Sequence, residues 1–399
     1  MKKRNLYFRR IPDKKITEHH LNSFEFRIPT VVVSMKQRNQ LLHLPNCFRF
    51  QIPLTLVLST LGFTLSCSAL PNEITGKSDA DNNMLLSTLL LVQLSQTNVP
   101  PTVKQNSTYT VSKSTFVYAQ ALSHSNWGTN TTSVVNLGLD LYLPENAPTN
   151  RPAMVLIHGG GFTTGSKEDT NIVEIANYFA SRGWVCISIN YRLVSAYGTL
   201  STAWGTYVLN SSLTPTEKQQ SYAMYPAARD AKAAVRWLYA NASAYEINTN
   251  YVTALGGSAG SFLANMLGIT NANDFRDETL TLTDSTLSTT NLSAGSKIHT
   301  IIDHWGGINH MTYLQAITGQ SRFDVSDPPV SIVHGTADAD VPFTQAEALR
   351  DAYISSGASY EFNPLVGAGH GAWTATINGK TLSENAFQFI TTKQKLTVN

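Results

Sequence analysis

Residues 251–266 read YVTALGGSAGSFLANM, and few stretches leave a chain so little freedom. A β-branched, apolar run enters five small residues, and an apolar run at helical spacing leaves them. A strand that passes straight into a helix through Gly256-Gly257-Ser258-Ala259-Gly260 does so in a tight, strained bend. Gly256 and Gly260 suit it because strand and helix approach too closely there for a side chain. The bend lifts the Ser258 hydroxyl above the edge of a sheet, where a nucleophile would stand. It also demands a strand-turn-helix unit, so the chain has to be an α/β protein.

The rest of the body agrees. From about Tyr109 strand-like and helix-like runs alternate, which predicts a mostly parallel twisted sheet with helices on both faces. LGLDLYLP (137–144) alternates apolar and polar residues as a half-buried strand does. PAMVLIH (152–158) and WVCISINYR (184–192) are the continuous runs of buried parallel strands. YVTALGG, IHTIIDHWG, VSIVHG and SYEFNPLVG complete the set of strands. NIVEIANYFASRG (171–183), AARDAKAAVRWLYANA (227–242, with Pro226 just ahead of it), SFLANMLGI and AEALRDAYISSG read as helices. Two stretches break the rhythm, near 195–225 and 271–297, and read as insertions over the carboxyl edge of the sheet.

A serine hydroxyl is a poor nucleophile until a histidine takes its proton and an acid holds that histidine. The glycines of Gly367-Ala368-Gly369-His370-Gly371 let a loop carry His370 over Ser258. His299, His304, His310 and His334 are rivals; His304 and His310 are candidates to line a pocket, and His334 to brace a loop. The acid belongs after the penultimate strand, where Asp338 and Asp340 lie two residues apart and one of them would orient His370. Upstream, His158-Gly159-Gly160-Gly161-Phe162 follows the PAMVLI strand, and its glycines suit backbone N–H groups aimed at a developing oxyanion. His158 precedes the serine, the wrong chain order for the base, and reads as a loop brace. Arg229 and Asp230 read as a structural ion pair or cap, and Cys186 as an inert buried thiol.

HGGGF, YPAARDAKAAVRWL, ALGGSAG, HGTADADVPF and GAGHG, in that order, resemble the bacterial carboxylesterases of the α/β-hydrolase superfamily. The branch of acetyl-xylan and feruloyl-type esterases, akin to the hormone-sensitive-lipase group, is the most similar, over roughly residues 130–390. The resemblance implies the α/β-hydrolase fold, a Ser258-Asp338-His370 triad with Asp338 chosen over Asp340, and oxyanion donors at Gly160, Gly161 and the amide of Ala259. It implies hydrolysis of a small-molecule or polysaccharide-linked ester through an acyl-enzyme. Two departures stand out: Ser261, where the family often has a further glycine, and the 195–225 insertion. A serine peptidase of the same fold would usually bring a large extra domain. A non-catalytic adhesion or binding module would be expected to have lost a triad member.

The N-terminal part has another character. Residues 1–49 carry 11 Lys/Arg against 3 Asp/Glu, a net of +8, while the remaining residues carry 18 against 24. That split argues against a basic surface on the body, and no nucleic-acid partner is expected. The uncharged run IPLTLVLSTLGFTLS (52–66) is too short for a membrane span and has the form of a secretory signal, so residues 1–66 read as a signal region. Leu65-Ser66-Cys67 resembles a relaxed lipobox, although Thr64 stands where an aliphatic residue is usual. Cys67 would then be lipidated and hold an exported protein on a membrane. The basic stretch is long for a signal; a start at Met35 shortens it, leaving 1–34 without structure of interest. Residues 67–105 read as a flexible tether broken by the apolar MLLSTLLLVQL (84–94), and 106–399 as the catalytic domain. No zinc-type Cys/His spacing, P-loop or Rossmann fingerprint is present, so no metal or nucleotide cofactor is expected.

Overall fold

The computed structural model describes residues 25–28, 31–34, 99–124, 132–275 and 284–399. The chain divides into two compact units, Met1–Leu86 and Ser87–Asn399. In the first, β1 (Glu25–Ile28) and β2 (Val31–Ser34) pair antiparallel, so residues 1–34 do carry a structural element. The signal run, Cys67 and the apolar patch at 84–94 lie outside the described residues.

In the second unit, β3 (Thr102–Val103) is followed by β4 (Val111–His124), β5 (Thr132–Pro144), β6 (Arg151–Ile157), β7 (Val185–Ile189), β8 (Ile247–Gly257), β9 (Thr300–His304), β10 (Val330–Gly335) and β11 (Tyr360–Leu365). Strands β4 to β11 form one eight-stranded sheet in the order β4-β5-β7-β6-β8-β9-β10-β11. Strands β6 to β11 run parallel to one another, and β5 is antiparallel to β4 and β7. This is the α/β-hydrolase fold that the motifs imply. Three two-residue strands, β12 (Thr376–Ile377), β13 (Lys380–Thr381) and β14 (Thr397–Val398), make small side pairings.

Among the described residues seven α-helices accompany the sheet: α1 (Thr170–Ala180), α2 (Thr202–Asn210), α3 (Pro215–Ala240), α4 (Ala259–Ile269), α5 (Asn309–Thr318), α6 (Thr344–Ser356) and α7 (Leu382–Lys393). Ile172 and Phe179 of α1 and Phe387 and Ile390 of α7 share one core layer, with Met154 and Leu156 of β6. The opposite side chains of β6, Ala153, Val155 and Ile157, belong to the other layer, with residues of α3, α4 and α6. The helices therefore cover both faces, and alternate side chains of one buried strand feed both cores.

Three elements depart from the expected pattern. Helix α3 starts at Pro215, well ahead of Pro226, and runs through it. Thr214 and Glu217 close a capping box on the new start. Buried contacts on both sides of Pro226 outweigh the backbone hydrogen bond that a proline withholds. Strand β4 was hidden because its first half is largely exposed and lacks a clean apolar alternation. The tether does not extend to residue 105: β3 pairs with β14, Val103 is buried, and Gln105 N–H donates to the Asn399 carbonyl.

Candidate active site

Strands β6, β8, β9, β10 and β11 are parallel, so their carboxyl ends meet along one edge, and each opens there into a loop or helix. The chain leaves β6 towards β7 on one side and returns to β8 on the other. That reversal opens a crevice between the ends of β6 and β8. The glycine loop 159–161 follows β6, and Ser258 follows β8.

Ser258 sits at φ 56°, ψ −124° between β8 and α4. The bend is feasible only with small neighbours: a Cβ on Gly256 would lie 2.2 Å from Gly260 backbone, and one on Gly260 would lie 2.1 Å from the Ile157 carbonyl oxygen. Ser258 is the N-cap of α4, yet its hydroxyl makes no cap bond to the helix. It pairs with His370 instead, with Oγ 2.9 Å from Nε2. His370 Nδ1 lies 2.7 Å from Asp338 Oδ2. A carboxylate only accepts, so Nδ1 carries the hydrogen and the Nε2 lone pair faces the serine O–H.

Asp338 is held twice, its Oδ1 accepting the N–H groups of Asp340 and Val341 at 2.9 Å each. Asp340 itself is exposed and only lends its backbone. The segment is a turn, so the two carboxylates do not face the same way. The His370 loop rests on the Asp338 loop: Ala337 N–H donates to the Ala368 carbonyl, and Gly367 N–H donates to Thr336 Oγ1. Gly367 and Gly371 bracket His370 at φ 74° each, a left-handed conformation that favours glycine.

A Cβ on Gly159 would lie 2.9 Å from the Gly257 carbonyl and 3.3 Å from Ser258 Cβ, so the glycine loop presses directly on the nucleophile bend. Gly160, Gly161 and Phe162 all have positive φ (106°, 59° and 61°). The Gly160 carbonyl turns inward to accept the N–H groups of Thr163 and Thr164. Because a trans peptide sets C=O and N–H on opposite sides, the Gly161 N–H points away from that turn. Ala259 opens α4, where first-turn N–H groups lack intrahelical acceptors. His158 is buried, stacks on Tyr191 at 4.3 Å, and is held below the ordinary histidine pKa by burial. It braces the loop.

The rival histidines fall elsewhere. His299 Nδ1 accepts the Val252 N–H at the opposite end of β9, and burial pushes its pKa down to about 4. His304 and His310 are both buried from solvent, and burial depresses them to about 4 and about 3. Neither ring nitrogen of His310 has a hydrogen-bond partner among the described residues. His334 Nε2 donates to the Val341 carbonyl and lies 3.2 Å from Asp338 Oδ2. Asp230 pairs with Arg192 in a buried, forked contact, which makes it structural.

Some contacts have no signal in the sequence. Gln220 of α3 brings its Nε2 to 2.9 Å from where a Cβ on Gly161 would be, so the inserted region reaches the glycine loop. Trp204, Tyr222 and Tyr225 of the same region are buried; Trp204 and Tyr225 pack on one another and on Phe275 rather than offering a free stacking face. Trp373 lies over Gly257 and meets Trp305 edge-on at 4.6 Å. The described residues include no group of three or more His, Cys, Asp or Glu placed to hold a metal.

The BD-FAE family model matches residues 139–200 and 214–324. It takes in the glycine loop and Ser258, stops short of Asp338 and His370, and skips the stretch occupied by α2. The chain is 24% identical over 257 residues to Esterase LipC of Mycobacterium tuberculosis, covering 58% of this chain and 56% of that protein. It is 23% identical over 253 residues to an isoprenylcysteine alpha-carbonyl methylesterase of Arabidopsis thaliana, covering 58% and 53%. The chain thus spans little more than half the length of these curated relatives. A solved esterase of Thermogutta terrifontis is 22% identical, with a TM-score of 0.47 over 70% of this chain and 91% of that one.

Proposed function

We propose, for a chain that belongs to the α/β-hydrolase superfamily on its carboxylesterase side, that it hydrolyses carboxylic esters through Ser258. One observation carries the reading: the unbroken relay from Ser258 Oγ to His370 Nε2 and from His370 Nδ1 to Asp338, at 2.9 and 2.7 Å.

His370 takes the Ser258 proton as Oγ attacks the ester carbonyl. Charge builds on the former carbonyl oxygen, and the amides of Gly160, Gly161 and Ala259 receive it. Asp338, its Oδ1 accepting two backbone N–H groups, holds the imidazolium. His370 then protonates the departing alkoxide, leaving an acyl-Ser258. Water attacks the acyl carbon while His370 takes its proton, and the acid leaves as Oγ is reprotonated. The substrate is a small-molecule or polysaccharide-linked ester. The test is a fluorophosphonate probe combined with nitrophenyl ester hydrolysis. Labelling at Ser258 in step with lost hydrolysis is expected, and labelling at another residue overturns the assignment.

The protein is further proposed to be exported and held on a membrane through lipidated Cys67. Among the described residues no helix is long and apolar enough to cross a membrane. Intact-mass analysis decides: a mature chain beginning at Cys67 with added lipid mass is expected, and any other unmodified start refutes the anchor.

A further inference from the structure

Ser258 is held in a backbone conformation that side-chain-bearing residues rarely adopt, at φ 56°, ψ −124°. Such a conformation costs on the order of 1–3 kcal/mol and persists only where the surroundings enforce it. The triad does not enforce it, because His370 touches only the hydroxyl. The backbone is gripped from behind. Ser258 N–H donates to the His304 carbonyl at 2.9 Å, where β9 ends beside β8.

Behind that contact lies Ser261. It is fully buried in the first turn of α4. Its Oγ accepts the His304 N–H at 2.8 Å and lies 2.6 Å from the Gly256 carbonyl and 2.9 Å from the His304 carbonyl. A hydroxyl has one hydrogen. Given to the shorter contact, it makes the chain His304 N–H to Ser261 O–H to Gly256 C=O, and leaves the His304 carbonyl to the Ser258 amide. One side chain thereby ties the residue two before Ser258 to the strand residue that holds Ser258. Buried as the group is, water offers no ready substitute, and removing it leaves the Gly256 carbonyl without that donor. Gly306 lies flush against this staple: a Cβ there would come within 2.4 Å of Ser261 Cβ.

We propose that Ser261 is a positioning residue for the nucleophile: its hydroxyl staples β8, β9 and α4 together and so fixes the attack geometry of Ser258. The inference rests on the esterase reading for its catalytic consequence, though not for the staple itself.

The experiment compares Ser261→Ala and Ser261→Gly with wild type, which separates loss of the hydroxyl from loss of volume. On a nitrophenyl ester both variants are expected to lower kcat about tenfold, with KM within twofold and the pH profile of kcat/KM unmoved, since His370 and Asp338 are untouched. The rate of fluorophosphonate labelling at Ser258 should fall in proportion. Amide hydrogen exchange of the 256–262 segment, which needs no substrate, should speed up at least tenfold in both. Unchanged exchange and unchanged kcat overturn the staple, as does a loss that grows from Ala to Gly along with thermal instability, the pattern of a packing role. If wild type is neither labelled nor active, the esterase reading falls while the exchange result still decides the staple.

Discussion

The two sides of Ser258 are built differently. In front, His370 and Asp338 stand on loops that leave β11 and β10, and His370 is partly exposed between two left-handed glycines. Behind, Ser261, Asp303, His304 and His310 are buried on β9, α4 and the start of α5. The front has its polar atoms paired in a line that ends in solvent. Deeper in, His304 Nδ1 and both His310 ring nitrogens have no hydrogen-bond partner among the described residues. Proton transfer needs groups that exchange with water and substrate, whereas a strained bend needs a dry, rigid support. Front variants should therefore change chemistry at constant stability, and variants of the buried titratable groups behind it, Asp303 and His310, should change stability and its pH dependence.

The largest effect belongs to the nucleophile. Ser258→Ala should keep the wild-type melting temperature and lose kcat by on the order of 10⁶, as nucleophile removals do. A loss below about a hundredfold would place the chemistry elsewhere. Next comes the carboxylate. Asp338→Asn should cost on the order of 10⁴ in kcat, because the imidazole loses its orienting anion. Asp340→Asn, on an exposed side chain, should stay within about tenfold. Reversed penalties, read from the same assay, would mean that Asp340 orients the base.

The back should answer to pH. Burial pushes Asp303 up to about 7, so between about 4 and 7 the folded chain holds a proton that the unfolded chain has released. Its contribution to stability is fullest below about pH 4 and is lost as pH rises to about 7. In Asp303→Asn that loss disappears, and melting relative to wild type should improve by a few degrees between pH 4 and 7. No change in relative melting across that range would mean that Asp303 is ionised throughout.

His310 works in the opposite direction, at the acid end. Burial holds its pKa at about 3, against about 6.5 unfolded, so stability present above 6.5 is lost as pH falls towards 3. His310→Leu, which suits a site packed on Phe262, should flatten the acid limb of melting temperature against pH. An unchanged acid limb would assign that sensitivity to other groups.

Local signals carried far in this chain. The glycines of the Ser258 bend, the continuous apolar runs of β6 and β7, and the glycine-bracketed His370 are read from a few neighbouring residues each. Turn chemistry and strand patterning are short-range properties, so the α/β-hydrolase fold was legible, as was the short set of polar residues at its carboxyl edge. Where the signal depended on distant partners, spacing misled. Helix α3 ran through Pro226 because buried contacts on both sides of it outweigh a local helix-breaking residue. Residues 99–105 left the tether because Val103 finds a core and β14 a partner strand, neither visible in a polar sequence.

The sequence by itself determined the kind of protein: an ordered set of strand-end motifs that only a parallel sheet brings to one edge. It could not determine which of five histidines are buried, since burial belongs to whatever packs above a residue and not to the residue. Nor could residue spacing alone, without the family resemblance, show that Asp338, in a turn and not an extended segment, meets His370 while Asp340 faces water. Only the tertiary structure brought Ser261, Gly256 and His304 together, across a sequence separation of 43 residues between Ser261 and His304, into one buried hydrogen-bonded staple. A hydroxyl inside a helix has no assigned partner until the next strand is laid beside it.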